Sequence, residues 1–487
     1  MVELLMVVTV FVLLICYWIR WRYNCLSVLN RYGIPGPKPN FFFGTTLKYR
    51  KTKGKMSVDM ELEWTKQYGK VFGMYFGLRP VILVADPVLL KDILIKDFGK
   101  WTNRGPIPNQ TDMLVVMKNE KWKNVRNLMS PAFSAAKLKS MFPVMKACID
   151  LFISECKKKS DYADLDIYEH LQALTLDIIG STALALKIKC QENLEDRTLC
   201  LLKNFFGETI PIVPLLSVAF PEFSSIIKLF GKNVGAPVIQ KEIENHLYKI
   251  YKERRADENA QGNDLFQVLI DAGSQNDGSD KSLTEPEIVA NAFMFLFAGF
   301  DTTSVSLGYI TYCLAKYPDE QNKIVQEIES VIGTQNLTYD NINDIPYLDA
   351  FINESLRMYP PVPHFVHRVS QCDQKIGGYS IPEGTMVNVS VYSLHYDSDF
   401  WEDPNKFNPS RFLNNKVESC HYMPFGEGPR NCIGKRFALV VIKLCLISLL
   451  QNFKILPGSE YFDPFPVEVR TIIMYPEKGV HVKLNVR

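Results

Sequence analysis

The sequence lacks the short motifs that would assign it to several common classes of protein. Eleven of its 487 residues are cysteine, but no two are spaced as CxxC, which argues against zinc ribbons and thioredoxin-like redox pairs. An odd number of scattered cysteines does not favour a disulfide framework, so most are predicted to be reduced. The fingerprint G-x-G-x-x-G is also missing, and the chain is therefore not expected to bind NADPH or FAD itself.

An excess of charge of one sign is missing as well. The 55 Lys and Arg residues nearly balance the 53 Asp and Glu residues, and no arginine-rich run is present, so no nucleic-acid partner is expected. The sequence shows no internal repeat and no flexible linker in its middle. With 47% hydrophobic and 22% charged residues, it predicts one large globular domain with a sizeable interior.

The chain begins with an apolar run from Leu4 to Ile19, about 24 Å long as a helix. A cleaved signal peptide is the alternative, but such a peptide carries basic residues before the apolar run. Here Glu3 precedes the run, and the basic residues that follow it are Arg20, Arg22 and Arg31. The pattern favours a retained membrane anchor over residues 1–22, with the rest of the chain in the cytosol.

Three prolines follow in "GIPGPKPN" (Gly33 to Asn40). They fix φ and remove backbone donors, which predicts a stiff, non-helical stalk over residues 23–40; a surface turn is the simpler alternative. The globular domain is then expected to cover residues 41–487.

The globular domain is predicted to be mainly α, with small β-sheets. "VFGMYFGLRPVILVAD" (Val71 to Asp86) has the composition of a β-hairpin, and the pattern beyond about Pro87 is helical. Short strands return near "GGYSIPEGTMVNVSV" and "GVHVKLNV". The apolar, proline-rich segment Ile210 to Phe223 has two interpretations: a buried loop, or a second surface that dips into the membrane and admits substrate.

The stretch "FGEGPRNCIGKR" suggests that Cys432 is a metal ligand. Gly426, Gly428 and Gly434 let the backbone fold tightly, so that N–H groups can point at the sulfur. An apolar helix follows, and its N-terminus is expected to lower the pKa of the thiol. Arg430 can reach an anion beside the metal.

This stretch resembles the signature F-x-x-G-x-R-x-C-x-G of the cytochrome P-450 family of haem-thiolate monooxygenases. Phe425, Gly428, Arg430, Cys432 and Gly434 match every fixed position. The resemblance implies the P-450 fold and heme b (iron protoporphyrin IX), with Cys432 as the proximal iron ligand and Phe425 packed near the sulfur. Such a thiolate favours O–O cleavage. Because CxxCH is missing, the haem would be held without thioether bonds.

A second motif, "FAGFDTTS", places Asp301 and Thr302 as polar intruders in an apolar helix. On the residues alone, they could be a buried pair that only kinks the helix. The family resemblance implies instead that this helix crosses the distal face of the haem, with Ala298 against the cofactor and Gly299 leaving space for oxygen. Asp301 and Thr302 would then relay protons to oxygen as general acids.

A third motif, "ESLR", puts Glu354 and Arg357 on one face of a predicted helix. By itself this spacing is weak evidence, because such pairs are common. It resembles the E-x-x-R of the family, which is completed by Arg411 of "FNPSRF", although Ser410 stands where relatives more often have glutamate. The three residues are expected to hold in place the loop from Phe425 to Arg436 that carries Cys432, called the haem loop below.

Haem propionates require cationic or indole donors. "KWKNVRNLM" puts Trp122 and Arg126 on one helical face, and the resemblance implies that both bind propionates together with Arg430. Arg104 and Arg368 occupy places where related animal enzymes supply further contacts. Each of these arginines could instead form a surface ion pair.

The resemblance spans nearly the whole chain and is greatest to animal microsomal enzymes that oxidise drugs and steroids. It implies the insertion of one atom of O₂ into a hydrophobic xenobiotic, steroid or lipid at the endoplasmic reticulum membrane. Electrons would come from NADPH through a flavoprotein reductase, with cytochrome b5 as a further donor. The basic docking face for this partner is expected to comprise Lys121, Lys123, Lys137, Lys139, Lys435 and Arg436.

The substrate itself is not implied, because the pocket-forming segment between Arg104 and Trp122 is shorter than in those relatives. Residues expected to line the pocket are Phe297, Ala298, Val362 and Pro363. Two other functions stay open. A haem-thiolate isomerase or dehydratase would have little use for Asp301 and Thr302, and a membrane-tethered haem sensor would need a separate output domain.

Overall fold

The structure is a computed structural model. It describes residues 1–51, 55–56, 58–105, 112–159, 164–184, 186, 188–207, 212–231, 236–256, 264–274, 282–413 and 417–487. The helices are α1 (Val2–Leu26), α2 (Val28–Arg31), α3 (Thr46–Tyr49), α4 (Val58–Tyr68), α5 (Pro87–Lys91), α6 (Asn119–Met129), α7 (Ala135–Lys159), α8 (Ile167–Ala183), α9 (Arg197–Gly207), α10 (Ile212–Ala219), α11 (Ser224–Gly231), α12 (Ala236–Ala256), α13 (Leu265–Ser274), α14 (Glu285–Lys316), α15 (Pro318–Val331), α16 (Pro346–Met358), α17 (Val391–His395) and α18 (Lys435–Asn452).

The strands form small sheets, as the sequence predicts. Their bounds are β1 (Arg50–Lys51), β2 (Lys55–Met56), β3 (Val71–Phe76), β4 (Arg79–Val84), β5 (Leu165–Asp166), β6 (His367–Val369), β7 (Gln374–Ile376), β8 (Tyr379–Ile381), β9 (Met386–Val389), β10 (Phe453–Pro457), β11 (Val467–Arg470), β12 (Ile473–Pro476) and β13 (His481–Val486). The sheet orders are β1-β2-β11-β12, β10-β13-β5, β3-β4-β9-β6 and β7-β8. The predicted hairpin is confirmed as β3 and β4, and β9 joins β4 in parallel.

The core is organised around α14. Thr284 caps this helix in a capping box with Glu287, and apolar residues on all sides make it a buried helix rather than an amphipathic one. It is long and apolar enough to cross a membrane, yet most of it is buried inside the protein. It packs most extensively on α8, which is itself almost wholly buried. The fold thus places the predicted Asp301–Thr302 motif at its centre.

The other long apolar helix, α1, is exposed along its whole apolar run. Its end is fixed to the globular domain through Arg22, which is fully buried. The guanidinium donates to the carbonyls of Phe41, Phe42 and Ala219 and pairs with Glu222 at 3.1 Å. The helix therefore does not end at residue 22 but continues to Leu26, and its last turns belong to the domain.

The predicted stalk needs a correction. The first part of the predicted stalk, residues 23–40, is helical, since α1 runs to Leu26 and α2 spans Val28–Arg31. Gly33 to Asn40 is non-helical, as predicted, but it is not a spacer, because it packs on β3. Ile34 is buried, and the N–H of Gly73 donates to the carbonyl of Pro35 at 2.7 Å. A Cβ at Gly36 would lie 2.0 Å from the carbonyl oxygen of Gly73, so the chain approaches β3 as closely as glycine permits.

The segment Ile210 to Phe223 is not a buried loop. Residues 210 and 211 lie outside the described part; from Ile212 the chain forms α10 and then a 3-10 turn, Pro221–Phe223. α10 is half-buried, and its end contacts the hairpin turn, where a Cβ at Gly77 would lie 2.2 Å from the carbonyl oxygen of Val218. Beyond it, Phe223, Ile226 and Leu229 are exposed.

Candidate functional site

The loop before α18 is folded tightly around Cys432. The N–H of Cys432 donates to the carbonyl of Phe425 at 2.8 Å, which brings the two signature residues together. Gly426 and Gly428 have φ values of +68° and +74°. A Cβ at Gly428 would lie 1.9 Å from the carbonyl oxygen of Leu94, so no other residue fits this position.

Gly434 caps α18 and donates its N–H to the Cys432 thiol, as predicted. The expected fall in pKa does not occur. Burial raises the pKa of the Cys432 thiol more than the hydrogen bond from Gly434 and the nearby charges of Arg126 and Arg104 lower it. Burial therefore outweighs the loop geometry, and the thiol needs a bond to a metal to be a thiolate at neutral pH. Cys432 lies deep in the protein, but its surface is accessible.

Four arginines surround this loop. Each donates to a carbonyl: Arg104 to the backbone of Arg430 at 3.1 Å, Arg126 to the side chain of Asn431 at 2.8 Å, and Arg430 to Met117 at 2.6 Å. Arg368 donates to the carbonyl of its neighbour in β6, His367, at 2.7 Å. The Arg430 guanidinium also lies 4.2 Å from the centroid of the Trp122 indole.

Within the described part of the chain, no carboxylate pairs with any of these four arginines. Buried donor atoms are left over as well: Nε of Arg104, Arg368 and Arg430, and Nη1 of Arg430, have no hydrogen-bond partner there. Such a group of unbalanced charges is unfavourable unless an anion joins it. The two propionates of haem match this demand in charge and in number of acceptors, so the residues present fit the cofactor that the sequence implies.

The pKa values express the same imbalance. Burial, followed by the charge of Arg126, lowers the pKa of Arg104 to about 10. Burial, followed by the charges of Arg104 and Arg126, lowers that of Arg430 to about 9. Burial, followed by Arg104 and Arg430, lowers the pKa of Arg368 well below its usual value. These arginines repel one another, and a bound dianion would reverse the sign of the effect.

α14 is buried along most of its length, but a short stretch in its middle is accessible on one face. Phe297 and Thr302 are half-buried and Ala298 is exposed, between the buried Leu296 and Thr303. The hydroxyl of Thr302 donates to the carbonyl of Ala298 at 2.7 Å. The small side chain of Ala298 lets a flat ligand approach this face closely.

The structure shows that Gly299 has a packing role. A Cβ at this position would lie 2.7 Å and 2.8 Å from the side-chain atoms Cδ1 and Cγ1 of Ile179. Gly299 therefore lets α14 pack closely on α8, and it is itself half-buried, next to the exposed Ala298.

Asp301 also points away from the accessible face. It is buried, and its Oδ2 accepts a hydrogen bond from the hydroxyl of Tyr475 on β12. Burial raises the pKa of Asp301 to about 6, against the opposing hydrogen bond from Tyr475. Asp301 and Thr302 are thus neighbours in sequence but lie on different sides of α14, and no hydrogen bond between their side chains is among the described contacts.

The Glu354–Arg357–Arg411 triad is formed as predicted. Glu354 and Arg357 are fully buried, with Nε to Oε2 at 2.7 Å and Nη2 to Oε1 at 2.9 Å. Arg411 approaches Oε1 of Glu354 at 3.4 Å, and the N–H of Asn408 donates to the same oxygen at 2.8 Å. The triad joins α16 to the segment that leads into the haem loop.

Sequence reasoning missed one member of this connection, His395. Its Nδ1 lies 3.0 Å from the carbonyl oxygen of Arg357, and its Nε2 accepts a hydrogen bond from the N–H of Met423 at 3.0 Å. This pattern requires a neutral ring with the proton on Nδ1, and burial lowers the pKa of His395 to about 3. Met423 lies two residues before Phe425, so His395 connects the triad directly to the haem loop.

The predicted pocket residues Val362 and Pro363 follow α16. Val362 is half-buried and Pro363 is buried, and the loop is fixed to β12 because the N–H of Met474 donates to the carbonyl of Pro361 at 2.9 Å. Phe297 lies in an aromatic group with Phe205 and Phe293, with ring centroids 4.7 Å and 5.8 Å away. The accessible side chains near α14 are thus largely apolar.

Among the described residues, no three His, Cys, Asp or Glu side chains come close enough to enclose a metal ion. An accessible thiol in a tight glycine-rich loop, a small-residue helix face and a group of arginines without carboxylate partners instead define a haem-thiolate protein, in which a macrocycle supplies the other ligands of the iron. The chain belongs to the cytochrome P450 family, whose model matches residues 34–484.

Curated relatives agree with this assignment. Cytochrome P450 3A25 of Mus musculus is 34% identical over 482 residues, covering 97% of this chain and 94% of the relative. Cytochrome P450 3A56 of Fundulus heteroclitus is 35% identical over 489 residues, covering 97% and 96%. Cytochrome P450 3A2 of Rattus norvegicus is 34% identical over 475 residues, covering 94% and 92%. The chain is a haem-dependent monooxygenase that uses O₂ and a redox partner to oxidise hydrophobic substrates.

Proposed function

We propose that Cys432 would bind the haem iron through its thiolate and that Arg104, Trp122, Arg126, Arg368 and Arg430 would bind its propionates. The observation that carries this assignment is the group of buried and half-buried arginines without carboxylate partners among the described residues, beside an accessible thiol. When bound, the haem iron supplies O₂ activation. Phe425 packs against the loop, while Glu354, Arg357 and Arg411 keep it in place.

Reduced protein under carbon monoxide tests the thiolate. Cys432→His should abolish the red-shifted Soret band of a thiolate-bound haem, and Cys372→Ser, at an exposed cysteine outside the site, should retain it. A red-shifted band in Cys432→His would contradict the assignment.

The Asp301–Thr302 pair is proposed to move protons. Thr302 lies on the accessible face of α14. Its hydroxyl can donate outward from this face once its hydrogen bond to the carbonyl of Ala298 breaks, and Asp301 can resupply that proton. With a pKa of about 6, Asp301 can both hold and release a proton near neutral pH. Thr302→Val should lower the yield of product per NADPH consumed, and an unchanged yield would contradict the relay.

The electron donor is proposed to be an NADPH-dependent flavoprotein reductase, with cytochrome b5 as a second donor. Of the predicted docking residues, Lys121 is unsuitable, because it pairs with Glu287 and reaches the carbonyl of Ser282. Lys139 pairs with Asp340 at the surface. Lys123 pairs with Glu120 at 3.6 Å on α6. Lys435 and Arg436 are exposed beside the haem loop and remain the best candidates.

Charge reversal tests this docking face. The pair Lys435→Glu and Arg436→Glu should weaken reductase binding at low salt by about tenfold or more, because rim charges mainly steer association. Lys454→Glu on β10 is the control, since it is exposed and lies outside the proposed docking group. Equal affinity for both variants and the wild type would exclude this face.

The cellular site is proposed to be the endoplasmic reticulum membrane, with α1 as a single-pass anchor and the catalytic domain in the cytosol. The exposed apolar residues of α1 support the anchor, and the arginines after the run support the orientation. Protease added outside intact microsomes should digest the catalytic domain, whereas protection of that domain would reverse the topology.

The substrate is proposed to be a hydrophobic xenobiotic, steroid or lipid, because Phe205, Phe293 and Phe297 supply aromatic contacts beside the accessible face. An apolar pocket discriminates by only about 1–3 kcal/mol per methylene, so the class is better supported than any one compound. Shifts of the Soret band on titration with compounds of each class will rank them. Phe297→Ala should weaken the preferred class most.

A further inference from the structure

Asp301 is held by a residue that no local pattern in the sequence selects. Tyr475 lies on β12, its hydroxyl donates to Oδ2 of Asp301, and both side chains are buried. The other carboxyl oxygen, Oδ1, is buried without a hydrogen bond of good geometry from the described residues, although the amide of Gln172 on α8 lies near enough to lower the pKa. The phenol is therefore the main restraint on the carboxyl group.

The position of this phenol is fixed on several sides. Tyr475 stands opposite Glu468 in the β11–β12 pair, and the guanidinium of Arg470 lies 5.1 Å from its ring centroid. The next residue toward the N-terminus, Met474, accepts a hydrogen bond at its carbonyl from Tyr309 of α14 at 2.7 Å. β12 cannot slide along α14 without breaking this bond, so the hydroxyl stays aimed at Asp301.

Thr302 lies on a different side of α14 from Asp301. Its hydroxyl is bonded to the carbonyl of Ala298 on the accessible face, whereas Asp301 is turned toward α8 and β12. Successive residues of a helix point about 100° apart, so the two groups cannot meet unless the carboxyl rotates or a water bridges them.

We propose that Tyr475 is a positioning residue for Asp301: its hydroxyl holds the carboxyl group on the α8–β12 side of α14. Asp301 can pass a proton toward the accessible face of α14 only after it gives up this hydrogen bond. The inference rests on the proposed proton relay through Asp301 and Thr302. No proton leaves the phenol in this scheme, because Tyr475 acts only as a hydrogen-bond donor.

The charged and titratable groups around Asp301 agree on the effect of removing that donor. Burial raises the Asp301 pKa to about 6, and the hydrogen bond from Tyr475 opposes this most, followed by Gln172 and Arg470. On α8, burial raises the pKa of Tyr168 well above its usual range, so it stays neutral. Glu468 on β11 is paired with Arg470. Loss of the phenol hydroxyl should therefore raise the Asp301 pKa further.

The test measures thermal stability against pH in the full-length, haem-loaded protein. Because the folded-state pKa of Asp301 lies above its unfolded value, stability is lost as pH rises through this interval and levels off above the folded pKa. The difference in thermal stability between the wild type and D301N, plotted against pH, isolates the contribution of Asp301 and should level off near pH 6. The difference between Y475F and Y475F/D301N should level off about one pH unit higher or more.

Tyr309→Phe is the matched control, since it removes a hydrogen bond between α14 and β12 without touching Asp301. The difference in thermal stability between Y309F and Y309F/D301N should level off at the same pH as the difference between the wild type and D301N. Equal profiles for Y475F and the wild type, or the same shift in Y309F, would overturn the assignment.

Product yield per NADPH separates this inference from the relay on which it rests. If D301N keeps the wild-type yield, the relay itself fails, and the inference fails with it. If D301N loses yield while Y475F keeps the wild-type pH dependence of yield, the relay stands and only the role of Tyr475 is overturned. The expected result is a low yield in D301N and a yield profile in Y475F that is shifted to higher pH.

Discussion

Nη2 of Arg104 donates to the backbone carbonyl of Arg430 at 3.1 Å, and the Arg104 charge lowers the pKa of the Arg430 guanidinium. A half-buried and a buried arginine thus lie close together, with no carboxylate paired with either among the described residues. This arrangement destabilises the protein by itself and becomes favourable when an anion joins it. Stability and cofactor binding should therefore respond oppositely to the loss of one charge.

Arg104→Met tests this. The haem should dissociate at least about tenfold faster, since a charge-assisted hydrogen bond contributes about 1.5–3 kcal/mol. The haem-free protein should unfold at the same temperature or higher, because repulsion is relieved. Absorbance of released haem and calorimetry of the apoprotein give the two values.

Arg254→Met is the control. Arg254 pairs with Asp264 at 2.8 Å, away from the haem loop, so this variant should lose stability with or without haem. If Arg104→Met destabilised the apoprotein as Arg254→Met does, the arginine group would be structural instead of anion-binding.

The two glycines of the signature should tolerate substitution very differently. Gly428→Ala puts a Cβ 1.9 Å from the Leu94 carbonyl oxygen at a φ of +74°, so the loop must unfold locally. Gly434 has a φ of −87°, and the nearest atom to its Cβ is 4.0 Å away, on Phe133. Gly428→Ala should therefore yield little haem-loaded protein, while Gly434→Ala should load normally. Haem content per protein measures both, and equal loss in the two would show that the loop geometry is not the cause.

The sequence predicted the parts of the site whose residues are close in the chain. The Cys432 loop, the Trp122–Arg126 face of α6 and the Glu354–Arg357 pair each lie within one turn or one helix, where spacing alone determines which side chains meet. The hydrogen bond between Tyr475 and Asp301 joins residues 174 apart, and no periodicity reports such a contact. The close approach of Ile179 to Gly299 was not predicted for a related reason, because it becomes visible only when α8 packs on α14.

His395→Leu should separate the triad from the haem loop. The substitution leaves the Arg357 carbonyl and the Met423 N–H buried without their partner, at about 1–3 kcal/mol each. We expect a lower thermal midpoint and faster conversion of the carbon monoxide complex to a form without the red-shifted band. His246→Leu, at an exposed position on α12, is the control and should change neither. Normal stability of His395→Leu would mean that water replaces the ring.

The junction between α1 and the domain gives the last prediction. Arg22 donates to three backbone carbonyls and to Glu222, whereas Glu222 accepts from Arg22 and from the indole of Trp18 at the surface. Arg22→Ala therefore leaves three backbone acceptors without their donor, whereas Glu222→Ala leaves one donor of Arg22, Nη1, without its acceptor. Arg22→Ala should destabilise the junction by about 2 kcal/mol or more, because several acceptors lose their donor, and Glu222→Ala by less, because only one donor loses its acceptor.

Limited proteolysis of the full-length protein in lipid bilayers can measure this difference. The chain between Leu26 and Asn40 should be cut several-fold faster in Arg22→Ala than in the wild type, because it packs on β3 only while the end of α1 stays docked. Glu222→Ala should be cut at nearly the wild-type rate. Equal rates in the two variants would mean that the ion pair, and not the group of carbonyls around Arg22, holds the anchor to the domain.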